Sequence, residues 1–335
     1  MSDGYGSFMG EIRYGIAGSP ITHSLSPLLM ALMCDHLGIV NRTRSLKIEL
    51  VDVSIISDAL AWGYAGSVPN PLEWALTQAV FGKFRTTALL EKAVIAAREV
   101  KIPASTLGAK GEGSPLFLRT KNSNVLPTRM FDDEIWMNLT HPLKHQLDSE
   151  AVVSIDGSRE IKSINALRWD GKGWWSAGLD GAGVCDVMNH HGYVPEGSVL
   201  GLVGGGGAAR STAKAWSQHG GFICILGGRR ELGDGPWSKS LTEQSPDVIV
   251  NFDGATPSFE ADIVLHAAYG QMEGALEERI DAMASTPLDG RWLLVAQHLA
   301  CWSQLWAPER IDDLPSLDLL LNRLVVAETT LSQYA

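Results

Sequence analysis

The chain has 335 residues, too many for one ordinary core and enough for two domains. Hydrophobic residues make up 45% and charged ones 19%, a composition that supports packed cores and excludes general disorder. The formal net charge of −11 argues against nucleic acid as the main partner, because phosphate recognition needs clustered basic surface.

In chain order, Met1 to Gly10 shows neither a basic start nor an apolar core, so no secretion signal is expected. No apolar run approaches the ~18–20 residues that span a bilayer, so no membrane association is expected. Arg13 to Gly18 reads as a short buried strand ending in a glycine turn. A helix follows, with Ser26 suited to the N-cap, Pro27 to the first helical position and Gly38 to the C-terminal stop. Its apolar face is Leu28, Leu29, Leu32, Met33 and Leu37. Leu46 to Leu50 and Glu134 to Asn138 read as strands, and strands alternating with helices imply parallel β-α-β units. Between them, Asn70–Val80 and Leu89–Val100 read as helices. Pro103 to Thr128, rich in Gly, Ser, Lys and Asn, reads as a long loop. In the second half, Val199–Val203, Phe222–Leu226, Asp247–Phe252 and Asp262–Ala267 read as strands. Ala208–His219, Trp292–Trp306 and Leu317–Leu331 read as helices. Four cysteines (Cys34, Cys185, Cys224, Cys301) are far apart and form no C-x-x-C pair. That pattern implies neither a disulfide framework nor a zinc site, and a reducing, cytoplasmic setting without metal is expected. His23, His141 and the pair His190-His191 have no evident ligand partners, and the eleven tryptophans show no stacking pattern for nucleic acid.

Gly204-Gly205-Gly206-Gly207-Ala208-Ala209 lies between a strand and a helix and matches G-x-G-x-x-A. Such glycines permit a tight turn and close approach of backbone to a pyrophosphate, with the helix N-terminus beneath it. At the end of the next strand an NAD site usually carries an acid; here Gly227-Gly228-Arg229-Arg230 stands instead. Guanidinium forks suit a 2′-phosphate, so the sequence points to NADP(H), with Arg229 and Arg230 as its cations. The alternative is a solvated surface pair beside Glu231.

Three further stretches precede this turn: Ser24-Leu-Ser26-Pro27, Asn138-Leu-Thr140-His-Pro-Leu-Lys144 and Asp180-Gly-Ala-Gly183. With Ser163-Ile-Asn165-Ala166, Tyr269 after a late strand, and Gly290-Arg-Trp-Leu-Leu-Val-Ala-Gln297, this order resembles the shikimate dehydrogenase family. The resemblance covers most of the chain except about Ser54 to Arg129. It implies an α/β fold of two domains, an N-terminal α/β substrate-binding domain and a Rossmann-type NADP-binding domain. The C-terminal helices would return to the first domain. The corresponding boundaries are 1–182 (with an insertion over about 54–129), 183–289 and 290–335.

Carried over residue by residue, the resemblance places Ser24, Ser26 and Tyr269 on a substrate carboxylate. Asn138, Thr140, Asn165 and Gln297 would take the ring hydroxyls, Lys144 and Asp180 would flank the reacting oxygen, and Gly290 would join the cofactor contacts. It implies NADPH-dependent reduction of 3-dehydroshikimate to shikimate, in chorismate and aromatic amino acid biosynthesis. Such a reaction asks for a cation and proton donor at the oxygen where charge develops, which Lys144 supplies. Taken singly, the same residues have plainer readings. Ser24 and Ser26 fit a turn and a cap, Lys144 an exposed loop, Asp180 a helix N-cap, Tyr269 packing, and Asn138, Asn165 and Gln297 loop or solvated positions.

The chain departs from the family pattern at four places. Its N-T-D reads Gly178-Leu179-Asp180, its N-A-T reads Asn251-Phe252-Asp253, an acid before the tyrosine reads His266, and the segment from about Ser54 to Arg129 is longer. Two other functions therefore stay open at this stage: a quinate or aminoshikimate dehydrogenase, and a non-catalytic binding or regulatory protein of the same fold. Monomer and homodimer are equally compatible with the sequence.

Overall fold

The computed structural model describes residues 10–40, 44–65, 87–101, 133–254 and 260–334. The helix expected over Asn70–Val80 and the loop Pro103–Thr128 lie outside these residues. The first half builds a six-stranded sheet from β1 (Gly10–Gly18), β2 (Arg44–Asp52), β3 (Glu134–Leu139), β4 (Val152–Ser154), β5 (Ala166–Trp169) and β6 (Trp174–Ala177). Their order is β2-β1-β3-β5-β6-β4. The pairs β1–β2, β1–β3 and β4–β6 are parallel, while β5 runs antiparallel to both β3 and β6. The wholly parallel arrangement implied by alternating strands and helices is thus corrected here. β5 and β6 are joined by a short turn, with no helix between them to carry the chain back.

The second sheet comprises β7 (Val199–Val203), β8 (Phe222–Ile225), β9 (Val248–Asn251) and β10 (Ile263–His266). It is parallel throughout, in the order β10-β9-β7-β8. β7 is buried along its whole length, as a continuous apolar central strand requires.

Helices α1 (Ser26–His36), α2 (Ile56–Ala65) and α3 (Thr87–Arg98) belong to the first half. α4 (Asp180–His190) connects the sheets, α5 (Gly207–Gln218) follows the glycine turn and α6 (Leu276–Met283) follows β10. At the end come α7 (Gly290–Cys301), a wider turn over Trp302–Trp306, and α8 (Leu317–Ser332). α8 packs on α3 and α1, and α7 packs on α4 and α1, so the end of the chain lies against its beginning. α4 packs on both α5 and α7, and the boundary drawn after residue 182 falls inside this helix. Seven tryptophans are among the most deeply buried side chains. Trp136 stacks on Trp306 at 5.8 Å and meets Trp302 edge-on at 5.0 Å. His190 and His191 pack on Trp292.

α1 begins one residue earlier than its cap chemistry suggests. Leu25 occupies the N-cap, Ser26 is the first helical residue, and the Ser26 N–H donates to Ser24 Oγ at 3.2 Å. At the other end Gly38, with φ of +60°, closes the helix as expected. Among the described residues no helix is long and apolar enough to cross a membrane.

Candidate active site

Lys144 sits in a short turn, Leu143–His145, after β3, and Asp180 opens α4. Lys144 Nζ donates to Asp180 Oδ2 at 2.7 Å. Asp180 is 2% exposed and Lys144 22%, so the pair is shielded on one side and open on the other. Asn165, just before β5, completes the cluster. Its Nδ2 donates to Asp180 Oδ1 at 3.0 Å, and its Oδ1 accepts the Leu179 N–H at 2.8 Å. Its backbone is tied to β3 and β6 through Leu139 and Ala177, which fixes the amide against both strands.

The Asp180-Gly-Ala-Gly183 run has a packing reason for each glycine. A methyl group on Gly181 would lie 2.2 Å from the Ser211 carbonyl oxygen, and one on Gly183 would lie 2.8 Å from the Gln297 backbone nitrogen. These two positions let α4 approach α5 on one side and α7 on the other. Ser211 adds a clasp, accepting from the Gly181 N–H and donating to the Gly178 carbonyl.

Ser24, Ser26, Asn138, Thr140, Asn165, Tyr269 and Gln297, together with Lys144 and Asp180, line one cavity of about 320 Å³. Tyr269 OH accepts the Leu25 N–H at 3.3 Å and bonds the Ser24 side chain; the Arg291 guanidinium lies 5.4 Å from its ring centre. Burial pushes the Tyr269 phenol up from its ordinary value. His23 and His141 line the same cavity. Among the described residues no group of three or more His, Cys, Asp or Glu side chains is placed to hold a metal.

One residue escaped the sequence reading. Tyr14, in β1, donates to Asn138 Oδ1 at 2.6 Å and also bonds the Ser26 side chain. Burial and the neighbouring Cys301 push its phenol well above the ordinary value, so it stays a donor. The Asn138 amide nitrogen in turn reaches the Asn165 carbonyl at 3.3 Å. The signal was available as a tyrosine between Arg13 and Gly15 on an interior strand. Alone, that signal does not separate a packing ring from a positioning hydroxyl.

A second cavity, about 530 Å³, adjoins the first and shares Thr140, His141, Lys144, Ala208 and Phe252 with it. Its other walls include Gly206, Gly207, Arg229 and Arg230. Gly204 has φ of +109° and donates its N–H to the Gly227 carbonyl, while Gly205 lies under the backbone of Glu231. These two glycines shape the turn from behind and do not line the cavity. Space beside Gly206 is open, and the first turn of α5 leaves its N–H groups without intrahelical acceptors. This cradle, with Arg229 and Arg230 at its rim, fits the phosphates of a dinucleotide. Gly290 stands apart from the other expected cofactor residues: it lines the first cavity, packed against the Ala267 and Ala268 carbonyls.

Two of the departures have local reasons. A side chain at Gly178 would collide with the Ser163 carbonyl and Ser158, so an asparagine has no room; Leu179 is buried in the core. Asp253 docks beside Arg229, whose N–H it accepts at 2.6 Å. Phe252 lines both cavities, and His266 lines neither.

Fold and site together define a two-domain α/β protein in which a glycine turn of the nucleotide-binding kind faces a polar cavity across a lysine–aspartate pair. No protein-family model matches the chain. It is 28% identical over 194 residues to a shikimate dehydrogenase (NADP(+)) of Natronomonas pharaonis, covering 51% of this chain and 72% of that protein. It is 33% identical over 236 residues to one of Methylibium petroleiphilum, covering 70% of this chain and 54% of that protein. The fold is that of shikimate 5-dehydrogenase from Thermus thermophilus, solved in complex with shikimate. The TM-score is 0.52 at 16% identity, over 93% of this chain and 97% of that one. In sequence the chain is similar to shikimate dehydrogenases, and its fold is theirs.

Proposed function

We propose that the chain is an NADP-dependent shikimate dehydrogenase, reducing 3-dehydroshikimate to shikimate in chorismate and aromatic amino acid biosynthesis. The observation that carries this reading is the position of Lys144, which lines both cavities and donates to a buried aspartate. When bound, the reduced nicotinamide supplies hydride to the ring ketone. Lys144 Nζ stands at the junction of the cavities, where it gives a proton to the ketone oxygen as charge develops there. Asp180, fixed by Asn165, orients Lys144 and accepts from a neighbouring ring hydroxyl. Ser24, Ser26 and Tyr269 take the carboxylate, while Asn138, Thr140, Asn165 and Gln297 take the remaining hydroxyls. A polyhydroxylated ring needs such partners, since each buried polar group left unpaired costs about 1–3 kcal/mol.

The domain division at 182 and 289 is part of the same reading, as is a cytoplasmic location, to which four buried cysteines outside any disulfide are suited. Steady-state assays test it, with shikimate and NADP compared against quinate and NAD. Faster turnover of quinate with NAD would reassign the substrate. Shikimate binding without any oxidation of NADPH by 3-dehydroshikimate would make the chain a binding protein.

A further inference from the structure

The second cavity carries an unexpected charge. Among the described residues lining it, Asp253 is the one carboxylate, set against Lys144, His141, His145, Arg229 and Arg230. We propose that Asp253 determines dinucleotide specificity: its carboxylate engages Arg229 and so weakens the preference for a cofactor bearing a 2′-phosphate. The proposal rests on the reading of this cavity as the dinucleotide site.

The local geometry fixes the acid in place. Asn251 ends β9, and its Oδ1 accepts the N–H groups of Asp253 (3.1 Å) and Gly254 (2.9 Å). This turn wedges the carboxylate between two glycine corners. A methyl group on Gly228 would lie 2.7 Å from Asp253 Oδ2, and one on Gly204 would lie 3.2 Å from its Cγ. From there Oδ2 accepts the Arg229 N–H at 2.6 Å, and Oδ1 lies 3.8 Å from the Arg229 guanidinium. Asp253 is 13% exposed and Arg229 83%, so a held acid faces a solvent-exposed cation.

Two kinds of anion then compete for one guanidinium fork. A 2′-phosphate must share Arg229 with Asp253 and also feels the carboxylate's repulsion. A ribose 2′-hydroxyl meets neither cost. A neutral side chain at position 253 could accept the same backbone N–H without charge, which separates specificity from support of the turn.

The test is the dissociation constants of NADPH and NADH, measured by titration calorimetry on wild type, Asp253→Asn and Asp253→Ser. The exposed side of the pair limits the effect. We expect NADPH to bind about threefold to fivefold more tightly in both variants, with NADH changed by less than about twofold. In an Arg229→Ala background, Asp253→Asn should bring a smaller gain, that of the relieved repulsion alone. An unchanged ratio of the two constants, or weaker NADPH binding in both variants, overturns the proposal. Failure of the wild type to bind either dinucleotide would instead remove the assignment of the cavity itself.

Discussion

Lys144 Nζ and Asp180 Oδ2 meet at 2.7 Å although they stand on separate elements, one in a turn after β3 and the other at the first position of α4. Their meeting depends on Asn165, which holds the far oxygen of Asp180 while its own oxygen accepts from Leu179. The pair is therefore set by backbone on both sides, and the one half-open group is the lysine.

The first prediction follows from that asymmetry. Lys144→Ala should lower kcat by about a hundredfold to ten-thousandfold, the range for loss of a positioned proton donor, while KM for shikimate moves only severalfold. The charge it supplies matters most when the oxygen becomes negative. Steady-state kinetics with shikimate and NADP checks this, and kcat within tenfold of wild type would take Lys144 out of the mechanism.

Gly183 tests whether α7 must sit this close to α4. A methyl group there would meet the Gln297 nitrogen at 2.8 Å and its Cα at 3.0 Å, both backbone atoms that cannot swing aside. Gly183→Ala should cost about 1–3 kcal/mol in urea denaturation, the range for overpacking. It should also raise KM for shikimate, because the helix carrying Gln297 is pushed back. Unchanged stability with unchanged KM would mean that α4 and α7 separate freely.

A buried ion pair under the first sheet makes a third prediction. Arg168 grips Glu134 with two bonds of 3.1 Å and donates to the Leu305 carbonyl at 3.0 Å, all out of solvent. Trp136 Nε1 donates to the same glutamate at 2.7 Å. Arg168→Met takes the guanidinium away from the buried carboxylate and should cost about 3–5 kcal/mol. Glu134→Gln in addition should restore part of that loss, since the amide oxygen still accepts from Trp136. Equal stability of the single and double variants would show that the stranded charge is not the source of the cost.

Much of this architecture was legible because it rests on local chemistry. The continuous apolar run of β7, the glycines after it and the following helix are one contiguous signal. The same holds for α1, where Gly38 supplied the stop. What escaped was set by distant partners. β5 and β6 are four residues each, too short for periodicity, and become strands because β3 offers an edge. Gly178 reads as a lost polar contact until Ser158 and Ser163 are seen to fill the space. Ser26 looked like a cap, yet Leu25 takes that place and leaves the serine free to meet Tyr14.

His298 gives the last prediction, one about acid. It follows Gln297 in α7, is fully buried against Tyr14 and Trp306, and neither ring nitrogen has a hydrogen-bond partner. Burial lowers its pKa from 6.5 to about 3, because a charged imidazolium has nothing to replace its water. The unfolded chain takes up a proton at this position below about pH 6.5, whereas the folded chain does so only near pH 3. Stability is therefore intact above the unfolded value and falls through that window as pH is lowered, by up to ~1.4 kcal/mol per unit. His298→Phe keeps an aromatic ring of similar shape and removes the titration. Urea denaturation at about pH 7.5 and about pH 5 should show the variant gaining on wild type by about 2 kcal/mol between the two conditions. A constant difference would mean that His298 accepts its proton without leaving the fold.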